Sequence, residues 1–207
     1  MKLLIEYQYF GTIYSWVALI TASHVDFCEY EDWQKSSFRN RCLLPGANGI
    51  IHLSIPVIGG RDQKKKYAEI KIDYSSDWQI IHWRTIFSVY GKSPWFIYYQ
   101  DELEKLFQNR PELLIDWNGI CINWISKKLG ARYEIVGESD TKKVELSLLN
   151  KIRPSNYDRL TNVVLPKYPQ VFEDRIGFKT NMCILDLLFC EGKFAGEKLK
   201  KCQMPNV

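Results

Sequence analysis

The chain has 207 residues, enough to bury roughly 70% of its unfolded surface in a core without disulfide or metal staples. Its formal net charge of +4, from 28 basic and 24 acidic residues, lacks the concentrated basic stripe of a dedicated nucleic-acid reader. No stretch reaches the ~18 apolar residues of a membrane span, and the seven Trp, twelve Tyr and ten Phe are more than a core this size hides, so some line a cleft or an interface.

In chain order, "KLLIEY" (2–7) reads as a buried strand. In "TIYSWVALITAS", Ile13, Trp16, Val17 and Ile20 share one helical face. "HVDFCEY" (24–30) is a second strand, and a strand, helix and strand in sequence make a βαβ unit with parallel strands. The apolar run at 12–22 is not a secretory signal, because only Lys2 is basic upstream and Glu6, Gln8 and Gly11 intervene. A cytoplasmic location is the expectation.

"RCLL" and "GIIHLSIPV" flank "PGANG", whose Gly and Asn supply the turn of an antiparallel hairpin. The run "RDQKKK" (61–66) reads as a solvated loop. "YAEIKIDY" (67–74) alternates Ala68, Ile70 and Ile72 against Glu69, Lys71 and Asp73, which predicts a strand. A helix over 78–90 follows, capped by Asp77 or Ser76 and stopped at Gly91; apolar residues surround most of it, which predicts burial. Two further helices start near Pro94 and Pro111, the second ending at Gly130. "ARYEIVGES" (131–139) is a strand, 140–166 an arm or loop, and "GFKTNMCILDLLFCEGK" a helix capped by Thr180 or Asn181 and stopped at Gly192. The tail from 193 to 207 should fray. The whole is read as one α/β domain with a mixed sheet: a parallel βαβ start plus an antiparallel hairpin, with helices packed on it.

The six cysteines show no CxxC spacing and no neighbouring His at ligand distance, so no metal site is expected. Cys121 and Cys183 read as small core residues in a reducing compartment.

Ligands of parallel α/β sheets bind outside the C-terminal strand ends. The loops after the first two strands, "YQYFG" and "EYEDWQKSSFRNR", should therefore open on one edge and bring Gln8, Tyr9 and Phe10 to Glu31, Lys35, Asn40 and Arg41. The helix starting after Gly11 would offer its first amides to an anion. Bland readings stand beside these: Arg41 bridging carboxylates, Asn40 capping a turn, and Cys42 packing rather than acting as a thiolate. His82 is either a satisfied core histidine or a general base.

Several stretches together resemble the WbqC-like family in its Bacteroidetes-type form: "YFGTIYSWVALITASHVDFCEYEDWQKSSFRNRC", "PGANGIIHLSIPV", "SSDWQIIHWRTIFSVYGKSPWFIYYQDEL" and "YPQVFEDRIGFKTNMCILDLLFCEG". The positions that carry it are Tyr9, Phe10, Gln34, Lys35, Asn40, Arg41, Cys42, His82, Trp83, Tyr90, Ser93, Pro94, Phe96, Tyr98 and Tyr99. The chain departs from the family in "EYQYF" at the start, in Trp33 for Tyr and in Cys190 for Asn. The resemblance implies an acyl or aminoacyl (glycyl) transfer to an amino sugar in surface-polysaccharide or O-antigen assembly. His82 would then act as base, with Arg41 and Asn40 on the donor's oxygens. Gln8, Tyr9, Glu31, Gln34, Lys35, Tyr90 and Ser93 would contact a small or nucleotide-linked sugar. The competing expectation is an accessory protein that binds such a sugar without turnover; a nucleotidyl-transfer enzyme ranks last because paired histidines are missing. The cofactor is unknown from sequence.

Overall fold

The structure is a computed structural model that describes residues 1–60, 63–137, 143–159 and 163–202. Parts of the lysine loop, the 140–166 arm and the tail therefore lie outside the described residues.

The first strand β1 (Lys2–Glu6), helix α1 (Ile13–Thr21) and strand β2 (His24–Cys28) form the expected parallel unit, with Lys2 opposite His24 and Glu6 opposite Cys28. β1 is buried along nearly its whole length, the pattern of a strand covered on both faces. The hairpin of β3 (Arg41–Gly46) and β4 (Gly49–Ser54) pairs antiparallel as its turn residues dictate and forms its own two-stranded sheet.

The segment 67–74 is not a strand. Tyr67–Glu69 is a 3-10 turn closed by Glu69, which accepts from the Lys66 amide, and only single bridges follow, Val57 to Ile72 and Lys71 to Leu113. Ile70 and Ile72 do point inward, so the alternation is real, but no neighbouring strand offers a ladder for it. Helix α2 (Trp78–Tyr90) has the predicted bounds and a different burial. Its inner side carries Trp78, His82, Ile86, Val89 and Tyr90, whereas Ile81 and Phe87 are about half exposed, at 57% and 47%. The two helices expected after the prolines are α3 (Gln100–Leu106), preceded by a 3-10 turn at Phe96–Tyr98, and α4 (Leu114–Leu129), ended by Gly130 at φ 65°.

Two short edge strands complete the parallel sheet. β5 (Glu134–Ile135) pairs with β2, and β6 (Leu146–Ser147), from within the predicted arm, pairs with β1. The order is β5-β2-β1-β6, so the direction of strand addition reverses between β1 and β6. A single helical turn α5 (Glu173–Ile176) precedes α6 (Ile184–Glu191), whose N-cap is Cys183 rather than Thr180 or Asn181. The expected fraying from 193 is not seen through Cys202: a 3-10 turn leads into α7 (Ala195–Lys200), which packs on α1 and α4 with Ala195 and Leu199 buried.

Gly196 permits that contact, because a Cβ there would stand 2.2 Å from the Leu129 carbonyl oxygen. Gly196→Ala should destabilise the fold by about 1–3 kcal/mol through overpacking against backbone that cannot yield. Denaturant unfolding checks it; an unchanged midpoint would mean α7 does not bear on α4.

Candidate functional site

The polar loops after β1 and β2 do meet, at the edge the parallel strands predict, but with a different cast. Glu6, at the end of β1, is 1% exposed; its carboxylate accepts from Gln8 Nε2 (2.9 Å) and from the Asn150 amide (3.1 Å). Asn150 follows β6 in a left-handed conformation (φ 58°) and bridges the edge: Oδ1 accepts from Arg39 Nη1 at 2.9 Å, and Nδ2 donates to Glu31 Oε2 at 3.3 Å. Arg153 Nη2 donates to Gln34 Oε1 beside it. Three parallel strands thus deliver groups to one polar cluster where the strand order reverses, the usual ligand position in such sheets.

Arg39 is the centre of this cluster. Its side chain is fully buried, its guanidinium carbon lies 5.1 Å from the Tyr67 ring centroid, and no carboxylate among the described residues pairs with it. Among the described residues Nε and Nη2 find no hydrogen-bond partner. Those two N–H groups form one edge of the guanidinium and point in parallel, the fork that takes a carboxylate or phosphate in two bonds. Asn118 on α4 donates to the Arg39 carbonyl and to the Tyr67 hydroxyl, and its own Oδ1 is a third buried atom with no partner among the described residues. The Tyr67 hydroxyl in turn donates to the Tyr7 carbonyl. Burying an unpaired cation is expensive, so a fork left unpaired here suits an anionic partner.

Of the residues singled out from sequence, Gln8, Glu31 and Gln34 belong to this cluster. Lys35 lies nearby in sequence with an exposed side chain. Asn40 and Arg41 enter the hairpin instead: Asn40 Nδ2 donates to the Ile55 carbonyl, and Arg41 pairs in register with Ser54. His82 and Tyr9 meet in the core. The Tyr9 hydroxyl contacts His82 Nδ1 at 3.0 Å, and the imidazole also bonds the Ser54 backbone, with Trp78 edge-on to the ring. Burial pushes the His82 pKa down to about 4, the Ser54 bond only partly opposing it, so the ring is neutral near pH 7. Cys42 is buried opposite Leu53, and burial holds its thiol well above the usual range, which fits packing.

Tyr90 and Ser93 belong to a second buried group. Asp186 in the first turn of α6 accepts from Tyr90 (2.9 Å), Tyr168 (2.6 Å) and Gln170 (2.7 Å), and Ser93 Oγ donates to the Tyr90 carbonyl. Burial raises the Asp186 pKa to about 6 despite those three donors.

The N-terminus of α1 is closed to ligands, contrary to expectation. The Ile13 amide donates to the Met182 carbonyl, Tyr14 to Asn181 Oδ1, Ser15 to Thr12 Oγ1 and Trp16 to the Thr12 carbonyl. Thr12 caps as its residue type favours, and Asn181, 167 positions from Tyr14, and Met182 take the Tyr14 and Ile13 amides.

The sequence pattern of the WbqC-like protein family matches residues 8–164. The chain belongs to that family. No curated protein and no solved structure matches it. In this WbqC-like chain Gln8, Glu31, Gln34, Arg39, Asn118, Asn150 and Arg153 fall within the matched span, while Glu6, α6 and α7 fall outside it. Among the described residues no three His, Cys, Asp or Glu side chains gather as a metal site, and no helix is long and apolar enough to cross a membrane. Arg39 stands in the quoted "QKSSFRNRC", and its one overlooked signal was company: Lys35, Arg39 and Arg41 lie within seven positions, and of the three Arg39 is the fully buried one.

Proposed function

We propose that this WbqC-like protein transfers an acyl or aminoacyl group to an amino sugar used in bacterial surface-polysaccharide assembly, in the cytoplasm. The unpaired guanidinium fork of Arg39 carries the reading. It suits the carboxylate or phosphate of one substrate, and Glu31, half-buried and joined to Arg39 through Asn150, is assigned to the reacting amine. The sugar nitrogen attacks the donor carbonyl, the bond to the leaving group breaks, and Glu31 takes the proton that the amine sheds. Holding two substrates in register is the larger contribution, about 7–11 kcal/mol in favourable intramolecular reactions. His82 supports this assignment by default, since both its ring nitrogens are engaged.

The test is the purified protein with amino-sugar nucleotides and activated acyl or aminoacyl donors, read by mass spectrometry of the sugar. Acylated product that falls at least 100-fold in Glu31→Gln supports the reading; equal product from Glu31→Gln sinks the proton role. The neutral, doubly bonded His82 also favours a second reading, binding without turnover. That reading predicts sugar-nucleotide binding with no product from any donor.

A further inference from the structure

A separate cleft of about 330 Å³ opens between α4 and the ends of β2 and β5. Its aromatic side is Tyr7, stacked on Phe27 with ring centroids 4.4 Å apart, and Tyr133, edge-on to Phe27. Its polar rim is Asn123, Lys127 and Arg132. The cleft adjoins the Arg39 cluster through α4 and Tyr7: Asn118 bonds Tyr67 and the Arg39 carbonyl, Tyr67 bonds the Tyr7 carbonyl, and the next residue, Gly119, lines the cleft.

Gly119 is the telling residue. It lies inside a regular helix, where glycine is weaker than alanine because of its backbone entropy. No close neighbour requires it: an added Cβ would meet no atom within 4 Å. A bare backbone at a helix position facing a cleft suits the close approach of something that enters it.

We propose that this cleft seats the pyranose ring of the amino sugar against Tyr7 and Tyr133, its polar substituents on Asn123 and its phosphate linkage at Lys127 and Arg132. The volume is at the small end of ligand pockets and suits one ring rather than a whole nucleoside. An aromatic face with an amide and cations at its rim matches a ring with apolar C–H faces and polar edges. This rests on the transferase reading for the identity of the sugar; it leaves the Arg39 fork to the donor's anionic group.

The experiment uses saturation-transfer NMR on the full chain, with D-glucosamine 1-phosphate, D-galactosamine 1-phosphate and their 6-deoxy counterparts as probes. Ring-proton transfer is expected for at least one probe. Gly119→Leu, which fills the cleft and improves helix propensity, should abolish that transfer and raise the unfolding midpoint. Tyr133→Ala should weaken it at least fivefold. In the same samples inorganic phosphate and glycine report on Arg39, and their binding should survive Gly119→Leu. Ring-proton transfer unchanged in Gly119→Leu, or absent for all four probes while phosphate or glycine binds, overturns the cleft assignment. Loss of phosphate and glycine binding with sugar transfer intact overturns the Arg39 reading instead.

Discussion

Arg39→Lys should weaken binding of the anionic substrate by roughly 30- to 1,000-fold while the protein remains folded. Lysine keeps the charge and loses the two parallel donors. Hydrogen bonds to charged groups are each worth about 1.5–3 kcal/mol, and a lysine recovers only part of one, which leaves a loss of about 2–4 kcal/mol. Arg39→Met separates a ligand anchor from a structural one. A structural arginine paired inside the protein would cost several kcal/mol when removed. Here, among the described residues, the guanidinium makes one hydrogen bond, to Asn150, and one contact with the Tyr67 ring. Unfolding free energy should therefore fall by no more than about 1 kcal/mol in Arg39→Met, because an unpaired buried charge goes with the lost bond. Calorimetric titration with phosphate or glycine, beside denaturant unfolding, reads both effects. Wild-type binding in Arg39→Lys together with collapse of Arg39→Met would make Arg39 a core residue and no anchor.

Between about pH 6.5 and 4 the contributions of His82 and Asp186 to stability should run in opposite directions, and two single substitutions should tilt the profile accordingly. His82 has its pKa lowered from 6.5 to about 4 by burial. Its contribution is present above pH 6.5 and is lost as pH falls toward 4, because the unfolded chain takes a proton that the folded chain refuses. Asp186 has its pKa raised from 3.8 to about 6, again by burial. Its contribution is present below pH 4 and is lost as pH rises through 6, because the folded chain now holds the extra proton. Each effect is worth about 3 kcal/mol, and over the shared window they cancel. In Asp186→Asn the unfolding free energy should fall by about 3 kcal/mol between pH 6.5 and 4. In His82→Gln, whose amide can still accept from Tyr9 and donate to Ser54, it should rise by a similar amount. Parallel slopes for wild type and both variants would show that neither group titrates as its burial demands.

Much of the scaffold was written locally. The βαβ start follows from two apolar runs around one helical period, and the hairpin from "PGANG"; both stand as read. What failed was decided by distant partners. "YAEIKIDY" has a strand's alternation and no strand beside it. The arm hides β6, two residues whose only cause to be a strand is the open edge of β1. The tail's few apolar residues became a helix because Gly196 fits against the end of α4. The candidate site was legible as a place and not as a set of residues. Parallel strands point to their C-terminal edge, and Gln8, Glu31 and Gln34 are there. Arg39 and Asn150 were out of reach, since 111 positions separate two side chains 2.9 Å apart. Ser36 at φ 54° also breaks the regularity that would have told which basic residue turns inward.

The first turn of α1 carries a lesson for anyone trimming this protein. Its amides are satisfied by Asn181 and the Met182 carbonyl, and β1, the strand between β2 and β6, ends before the family match begins. A fragment cut to residues 8–164 would lack an inner strand of its sheet and the partners that start its first helix. The inherited pattern marks where relatives agree, and the piece of chain able to stand alone in water is larger.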